Sequence, residues 1–139
     1  MKERSFIDTI VLVYTDDSDN PEKQQVAISL LESGWSNGNL VMTTQVLQEY
    51  FVAATRKLSV KAETAQAKIE LLTNQNIVIN DVSDIKRAIE IHRLYQYSFW
   101  DALIITAALK ASCQTLYSED MHNNQVIENL TIRNPFEKS

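Results

Sequence analysis

The chain of 139 residues has the length of one domain able to bury a sizeable core, with 45% hydrophobic and 22% charged residues. No apolar run approaches the roughly 18 residues a membrane helix needs, which argues against a spanning protein. A formal net charge of -5 excludes a protein that holds nucleic acid by bulk positive charge alone.

Only two glycines and two prolines occur, so the chain reads as helix-rich with few tight turns. Residues 4–7 read as a short buried strand. Asn20-Pro21 predicts a helix start, with Asn as cap and Pro in the first helical position. That helix runs to about Trp35, burying Val26, Ile28, Leu30 and Leu31, and stops near Gly34 to Gly38. Leu40-Val41-Met42 is a second strand, and Thr43 or Thr44 caps a helix to about Lys57.

Ala62, Ala65, Ile69 and Leu72 stand at helical spacing within 61–73. Ile77-Val78-Ile79 is a third strand. Ser83 is read as the cap of a helix carrying Ile85, Ala88, Ile89 and His92, and Ser98 as the cap of an apolar helix to about Ala111. Thr115-Leu116-Tyr117 gives a fourth strand and Leu130-Thr131-Ile132 a fifth. Short apolar strands alternating with helices predict an α/β fold with a parallel sheet covered on both faces. With no linker, repeat or low-complexity segment, residues 1–139 read as a single domain.

Four acids stand in apolar or tightly patterned contexts with no Lys or Arg beside them: Asp8, Glu49, Asp101 and Asp120. Carboxylates are rarely buried without a partner. Asp8 and Asp120 each follow an apolar strand near its carboxyl end, where open α/β sheets place their ligands. Glu49 falls inside a helix and Asp101 in the first turn of another. Taken singly, each has an ordinary explanation: a capping contact for Asp101 three residues after Ser98, a surface position for Glu49, a loop cap for Asp120. If the four converge, each ionised pair about 5 Å apart repels by roughly 3 kcal/mol at an effective dielectric of about 20. Such a cluster protonates or binds cations, and all-oxygen ligation favours Mg²⁺ or Mn²⁺. Hard ions on carboxylates point to phosphodiester hydrolysis.

Other chemistries are not supported. Asp17-Ser18-Asp19 lacks the Gly and Glu of a calcium loop. There is no phosphate-cradling glycine loop, and His92 and His122 are too far apart for a helical zinc pair, reading as a surface and a loop histidine. Trp35, Trp100, Phe51 and Phe99 read as core or interface residues. Cys113, the one cysteine, reads as a small core residue and fits a reducing, cytoplasmic setting without disulfides. The partial basic clusters, Arg56, Lys57, Lys61 and Lys68, then Lys86, Arg87, His92 and Arg93, read as solvated helix faces.

The motifs taken in order resemble the PIN-domain nucleases, particularly the VapC-like toxins of type II toxin–antitoxin modules. The resemblance rests on Phe6-Ile7-Asp8-Thr9, Gln45-Val46-Leu47-Gln48-Glu49-Tyr50-Phe51, Ser98-Phe99-Trp100-Asp101-Ala102 and Leu116-Tyr117-Ser118-Glu119-Asp120-Met121. The ending Ile132-Arg133-Asn134-Pro135-Phe136 also matches. It implies a PIN-like three-layer α/β/α fold with a central parallel sheet of four to five strands. It implies cleavage of single-stranded RNA with Mg²⁺ or Mn²⁺, with Asp8, Glu49, Asp101 and Asp120 as metal-site and catalytic acids. Ser118 matches a hydroxyl residue that supports the last acid, and Thr9 a small polar residue beside the first. Homodimers and a cognate antitoxin partner are further implications.

One departure bears on activity. Position 10, usually Asn in the family, is Ile10, and an alkyl group cannot replace the amide's hydrogen bonds. Two alternatives therefore stand beside the toxin reading: a catalytically weakened module that binds RNA or a protein without cutting, and a housekeeping RNA-processing nuclease.

Overall fold

The computed structural model describes residues 3–137. Its sheet is built on β1 (Ser5–Ile7), which lies between β2 (Leu40–Thr43) and β4 (Thr115–Tyr117), parallel to both. β3 (Asn76–Val78) extends the sheet beyond β2, and β6 (Leu130–Arg133) extends it beyond β4, again in parallel. A two-residue strand, β5 (Val126–Ile127), closes the far edge antiparallel to β6. The strand order is β3-β2-β1-β4-β6-β5. Five parallel strands match the expected count, and β5 adds a sixth that is too short to show any pattern in sequence. The expected boundaries at residues 1 and 139 lie outside the described residues.

Helices cover both faces. α1 (Thr9–Tyr14) packs against both α2 (Pro21–Asn37) and α3 (Thr44–Lys57), and α3 against α4 (Ala62–Leu72), with α2 and α3 also against β2. α6 (Phe99–Lys110) lies on β2 and β4, and α5 (Val82–Tyr95) packs along it. α6 buries every residue from Ala102 to Ala108, which is why its sequence is apolar on all sides rather than on one stripe. The central strands are likewise continuous apolar runs: Phe6, Ile7, Leu40, Val41, Met42 and Leu116 are each at most 1% exposed.

Several local expectations change. α1 is a helix that the β-branched run Thr9-Ile10-Val11 did not indicate; Asp8 caps it by accepting the Thr9 N–H, and Val11, Leu12 and Val13 are its buried residues. Asn20 stands at the start of α2 but makes no side-chain cap; its amide instead donates to Asp17. α2 buries Ala27 and Gly34 most deeply, while Val26, Ile28, Leu30 and Leu31 are only half-buried. It ends at Gly38, whose left-handed φ of 67° suits a residue without a Cβ. β3 sits one residue earlier than expected and leaves Ile79 exposed. Cys113 is buried as expected, and burial pushes its thiol up to about 12. Trp100, read as a core or interface residue, is 61% exposed and so not core, and stands edge-on to Phe99.

α5 is capped by Asp81, not Ser83. Asp81 accepts the Asp84 N–H at 3.0 Å and Asp84 accepts the Asp81 N–H at 2.8 Å, a reciprocal capping box. Lys110 of α6 then donates to Asp84 Oδ2 at 2.7 Å. On α5 Asp84, Ala88 and Ile91 face inward while Ile85 and Ile89 are partly exposed. Replacing Asp84 by Ala removes one half of the box and the partner of Lys110, and should cost about 1–2 kcal/mol in chemical denaturation. Ser83→Ala should cost less than about 0.5 kcal/mol. The reverse ranking would return the cap to Ser83.

Candidate active site

The parallel register brings residues distant in sequence to one end of the sheet. Ile7 pairs with Tyr117, so Asp8 and Ser118 leave adjacent strand ends side by side. The Asp8 N–H donates to the Tyr117 carbonyl at 3.0 Å, prolonging the ladder by one bond. The Asp8 carboxylate then accepts on both oxygens: from the Thr9 N–H at 2.7 Å and from the Ser118 hydroxyl at 2.9 Å. Ser118 is fully buried, and its own N–H donates to the Arg133 carbonyl at 3.0 Å. Asp8 is therefore fixed from two directions and, as a residue, is only 9% exposed.

α3 carries Glu49 to the same place. Thr43 ends β2 and caps α3 by accepting the Val46 N–H at 3.1 Å. One and a half turns later Glu49 accepts the Thr9 hydroxyl at 2.7 Å. Tyr50, next to it, is fully buried and donates to Asp16, which is also held by Lys68 of α4 at 3.1 Å. That network ties α3 to the end of α1 and sets the position from which Glu49 projects. Asp101 arrives from the first turn of α6, where its N–H donates to the Ser98 hydroxyl at 3.1 Å. The capping contact and the place in the groove coexist, because the backbone makes one and the side chain the other. Asp120 follows β4 in an exposed loop. Its neighbour Glu119 is turned away, accepting from Lys23 and from the Tyr14 hydroxyl at 2.8 Å.

Asp8, Glu49, Asp101 and Asp120 all line one groove of about 690 Å³, together with Thr9, Ile10, Val13, Gln48, Val52, Ala53, Arg56 and Lys57. Ser118, expected beside the last acid, supports the first; Thr9, expected beside the first, bridges it to Glu49. The cause is the β1–β4 register, which a single sequence does not display. Arg56 and Lys57, expected on a solvated helix face, stand on the groove. Ile10 stands in its wall.

The acids feel one another. Burial pushes the Asp8 carboxyl up from 3.8 to about 6, with the charges of Asp101 and Glu49 adding to the rise and the Ser118 and Thr9 hydrogen bonds opposing it. Asp101 is also raised, first by burial and then by the charges of Asp120 and Glu49, against the Ser98 hydroxyl. Among the described residues no three His, Cys, Asp or Glu side chains form a group ready to enclose a metal ion. The donor set nevertheless fits a hard cation: oxygens only, two of them on acids whose ionised form is disfavoured without a counter-charge. Mg²⁺ keeps several waters and takes one or two carboxylates plus substrate phosphate, so a closed cage is not required. Asp8, with Glu49, Asp101 and Asp120 around the groove, would hold such an ion.

The elevated Asp8 value has a consequence for stability. The folded protein holds this proton more tightly than the unfolded chain, so the group's contribution is fully present below about pH 4. It is lost as pH rises through about 6, by about 3 kcal/mol in all. In EDTA, Asp8→Asn should therefore gain stability relative to the unmodified protein between pH 4 and pH 8, by up to that amount. Denaturant titrations at the two pH values measure it; a constant difference would mean Asp8 is not desolvated.

Against known proteins, the PIN domain family model matches residues 5–126. The fold is similar to that of VapC20 of Mycobacterium tuberculosis, a sarcin–ricin loop cleaving toxin, with a TM-score of 0.63. The two are 21% identical, over 84% of this chain and 89% of that one. None of the curated protein sequences matches this chain. With the family model running from β1 into β5, through every element that supplies an acid to the groove, the chain belongs to the PIN domain family.

Proposed function

We propose that this chain is a divalent-metal-dependent endoribonuclease that hydrolyses phosphodiester bonds in single-stranded RNA, and that it is the toxin of a toxin–antitoxin pair. The observation that carries the reading is the convergence of Asp8, Glu49, Asp101 and Asp120 on one groove, with Asp8 pushed up to about 6. Membership of the PIN family and the likeness to a sarcin–ricin loop cleaving toxin support the RNA substrate and the toxin role. Asp8 is the central ligand in this reading. Ser118 and Thr9 are positioning residues: the first fixes Asp8, the second links Asp8's end of α1 to Glu49. Mg²⁺ or Mn²⁺, when bound, supplies a water of lowered pKa and neutralises charge on the phosphodiester. The chain's own acids orient that water and its proton.

The partners follow the same reading: a cognate antitoxin protein and a second copy of the chain. Val82, Ile85 and Ile89 expose a continuous apolar stripe on α5, which supports a homodimer. No helix among the described residues is long and apolar enough to cross a membrane, and residues 1–139 are read as one PIN-like domain acting in the cytoplasm.

A second reading is favoured by one residue. Ile10 places an alkyl group in the groove wall beside Asp8 and Thr9, where a polar side chain could hydrogen-bond. That is compatible with a module that holds RNA or a protein without cutting it. A housekeeping nuclease with no antitoxin uses the same groove and differs only in lacking growth arrest on expression.

Purified protein should cleave RNA with Mg²⁺ or Mn²⁺ and fall silent in EDTA. Asp8→Asn and Asp101→Asn should each lose at least about 100-fold, more than the 10- to 100-fold typical of outer-shell changes. Full activity in either variant contradicts the assignment. Ile10→Asn should raise the rate by up to about 10-fold; silence in both forms across varied RNAs favours the binding module.

A further inference from the structure

The groove has a second end. Along α3, Glu49, Val52, Ala53 and Arg56 recur every three or four residues, so they share one helix face, and Lys57 adjoins them. Glu49 and Arg56 lie seven residues apart, about 10 Å along the axis. Both cations line the same groove as the acids. Four of the other cations are paired with carboxylates, Lys23 with Glu119, Lys68 with Asp16, Arg87 with Glu128 and Lys110 with Asp84; Arg4, Lys61, Lys86, Arg93 and Arg133 enter no ion pair among the described residues, but none of them lines this groove. Among the described residues Arg56 and Lys57 enter no ion pair, although the chain carries a net -5. The dipole of α3 draws cations to its last turn, but it does not require them to face a groove. Between Glu49 and Arg56 along α3 the groove is lined by the apolar Val52 and Ala53, Val52 half exposed, and Ile10 and Val13 of α1 add further apolar lining.

Resting on the nuclease reading of the groove, we propose that Arg56 and Lys57 form a phosphate seat for the RNA backbone, gripping a phosphate that flanks the one being cut. The apolar stretch between takes the intervening sugar and base, which have no use for charge. Arg56 supplies a planar fork that matches two phosphate oxygens, and Lys57 a mobile point charge. On a groove whose other charged residues are all carboxylates, these two side chains supply the attraction that draws in a polyanion. In this account Ile10 belongs to the wall of the substrate path as well as to the surroundings of Asp8.

The experiment is steady-state cleavage of a fluorescent single-stranded oligoribonucleotide across salt concentrations, with Mn²⁺ affinity measured in parallel. Arg56→Ala/Lys57→Ala should raise KM at least about 5-fold with kcat within about 2-fold, and leave Mn²⁺ affinity unchanged. Each phosphate no longer neutralised lowers the salt dependence by about 0.7 in log–log slope, so the double variant, which frees one phosphate, should lose about 0.7. Arg56→Lys/Lys57→Arg, which keeps both charges but displaces the fork, should keep the salt slope and recover only part of the KM loss, and Lys86→Ala on α5 should change nothing. If the unmodified protein cleaves and the Ala double variant matches it in KM and slope, the phosphate seat is wrong and the nuclease reading stands. If the unmodified protein neither cleaves nor binds the oligonucleotide, both fall together.

Discussion

The structure depends on a carboxylate placed where water cannot fully reach it. Asp8 ends the central strand of the sheet, with Phe6 and Ile7 buried behind it and a helix beginning at the next residue. Its two oxygens accept from the Thr9 N–H and the Ser118 hydroxyl. Two hydrogen bonds lower the cost of the buried charge without cancelling it, which is why the carboxyl sits near 6 and not in the usual carboxylate range. A cation is the remaining partner that would satisfy it. The arrangement resembles other functional sites in which stability is given up to hold a group in a reactive state.

Everything around this residue serves to bring other acids within its field. Because β1 is flanked by β2 and β4, the elements that follow those strands open at the same end of the sheet. β2 leads directly into α3 and so delivers Glu49; β4 leads into the loop that carries Asp120. α6 enters from the other helical layer and contributes Asp101 from its first turn. Each acid thus rides on a different segment, and their mutual position is a property of the sheet order. The Tyr50–Asp16–Lys68 network ties α3 and α4 to the end of α1, and the Lys110–Asp84 contact ties α5 to α6.

Much of this was legible in the sequence, because burial leaves a mark on composition. Apolar strands of three or four residues and the all-round apolar α6 announced a covered parallel sheet, and acids lodged in apolar runs announced the groove. What was not legible depends on contacts between distant segments. The β-branched stretch after Asp8 has no helical signature, and α1 forms because Asp8 caps it and the core receives Val11, Leu12 and Val13. β5 exists only through its pairing with β6. Of the residues read at helical spacing on α5, Ala88 is buried but Ile85 and Ile89 point outward, because the packing of α5 on α6 selects the face that carries Ala88 and Ile91. Ser118 serves Asp8 because of the β1–β4 register. Arg56 and Lys57 are ordinary last-turn cations until the fold shows which side of α3 faces the acids.

The central claim is that the desolvated Asp8 carboxyl is the pivot of a cation site. Titrating Mn²⁺ into the protein calorimetrically, in buffers of different ionisation enthalpy, counts the protons released per ion bound. With Asp8 near 6, about half a proton should leave at pH 6 and almost none at pH 8, and Asp8→Asn should abolish both the release and most of the affinity. Mn²⁺ binding that releases no proton at pH 6, or that survives Asp8→Asn intact, would contradict the account.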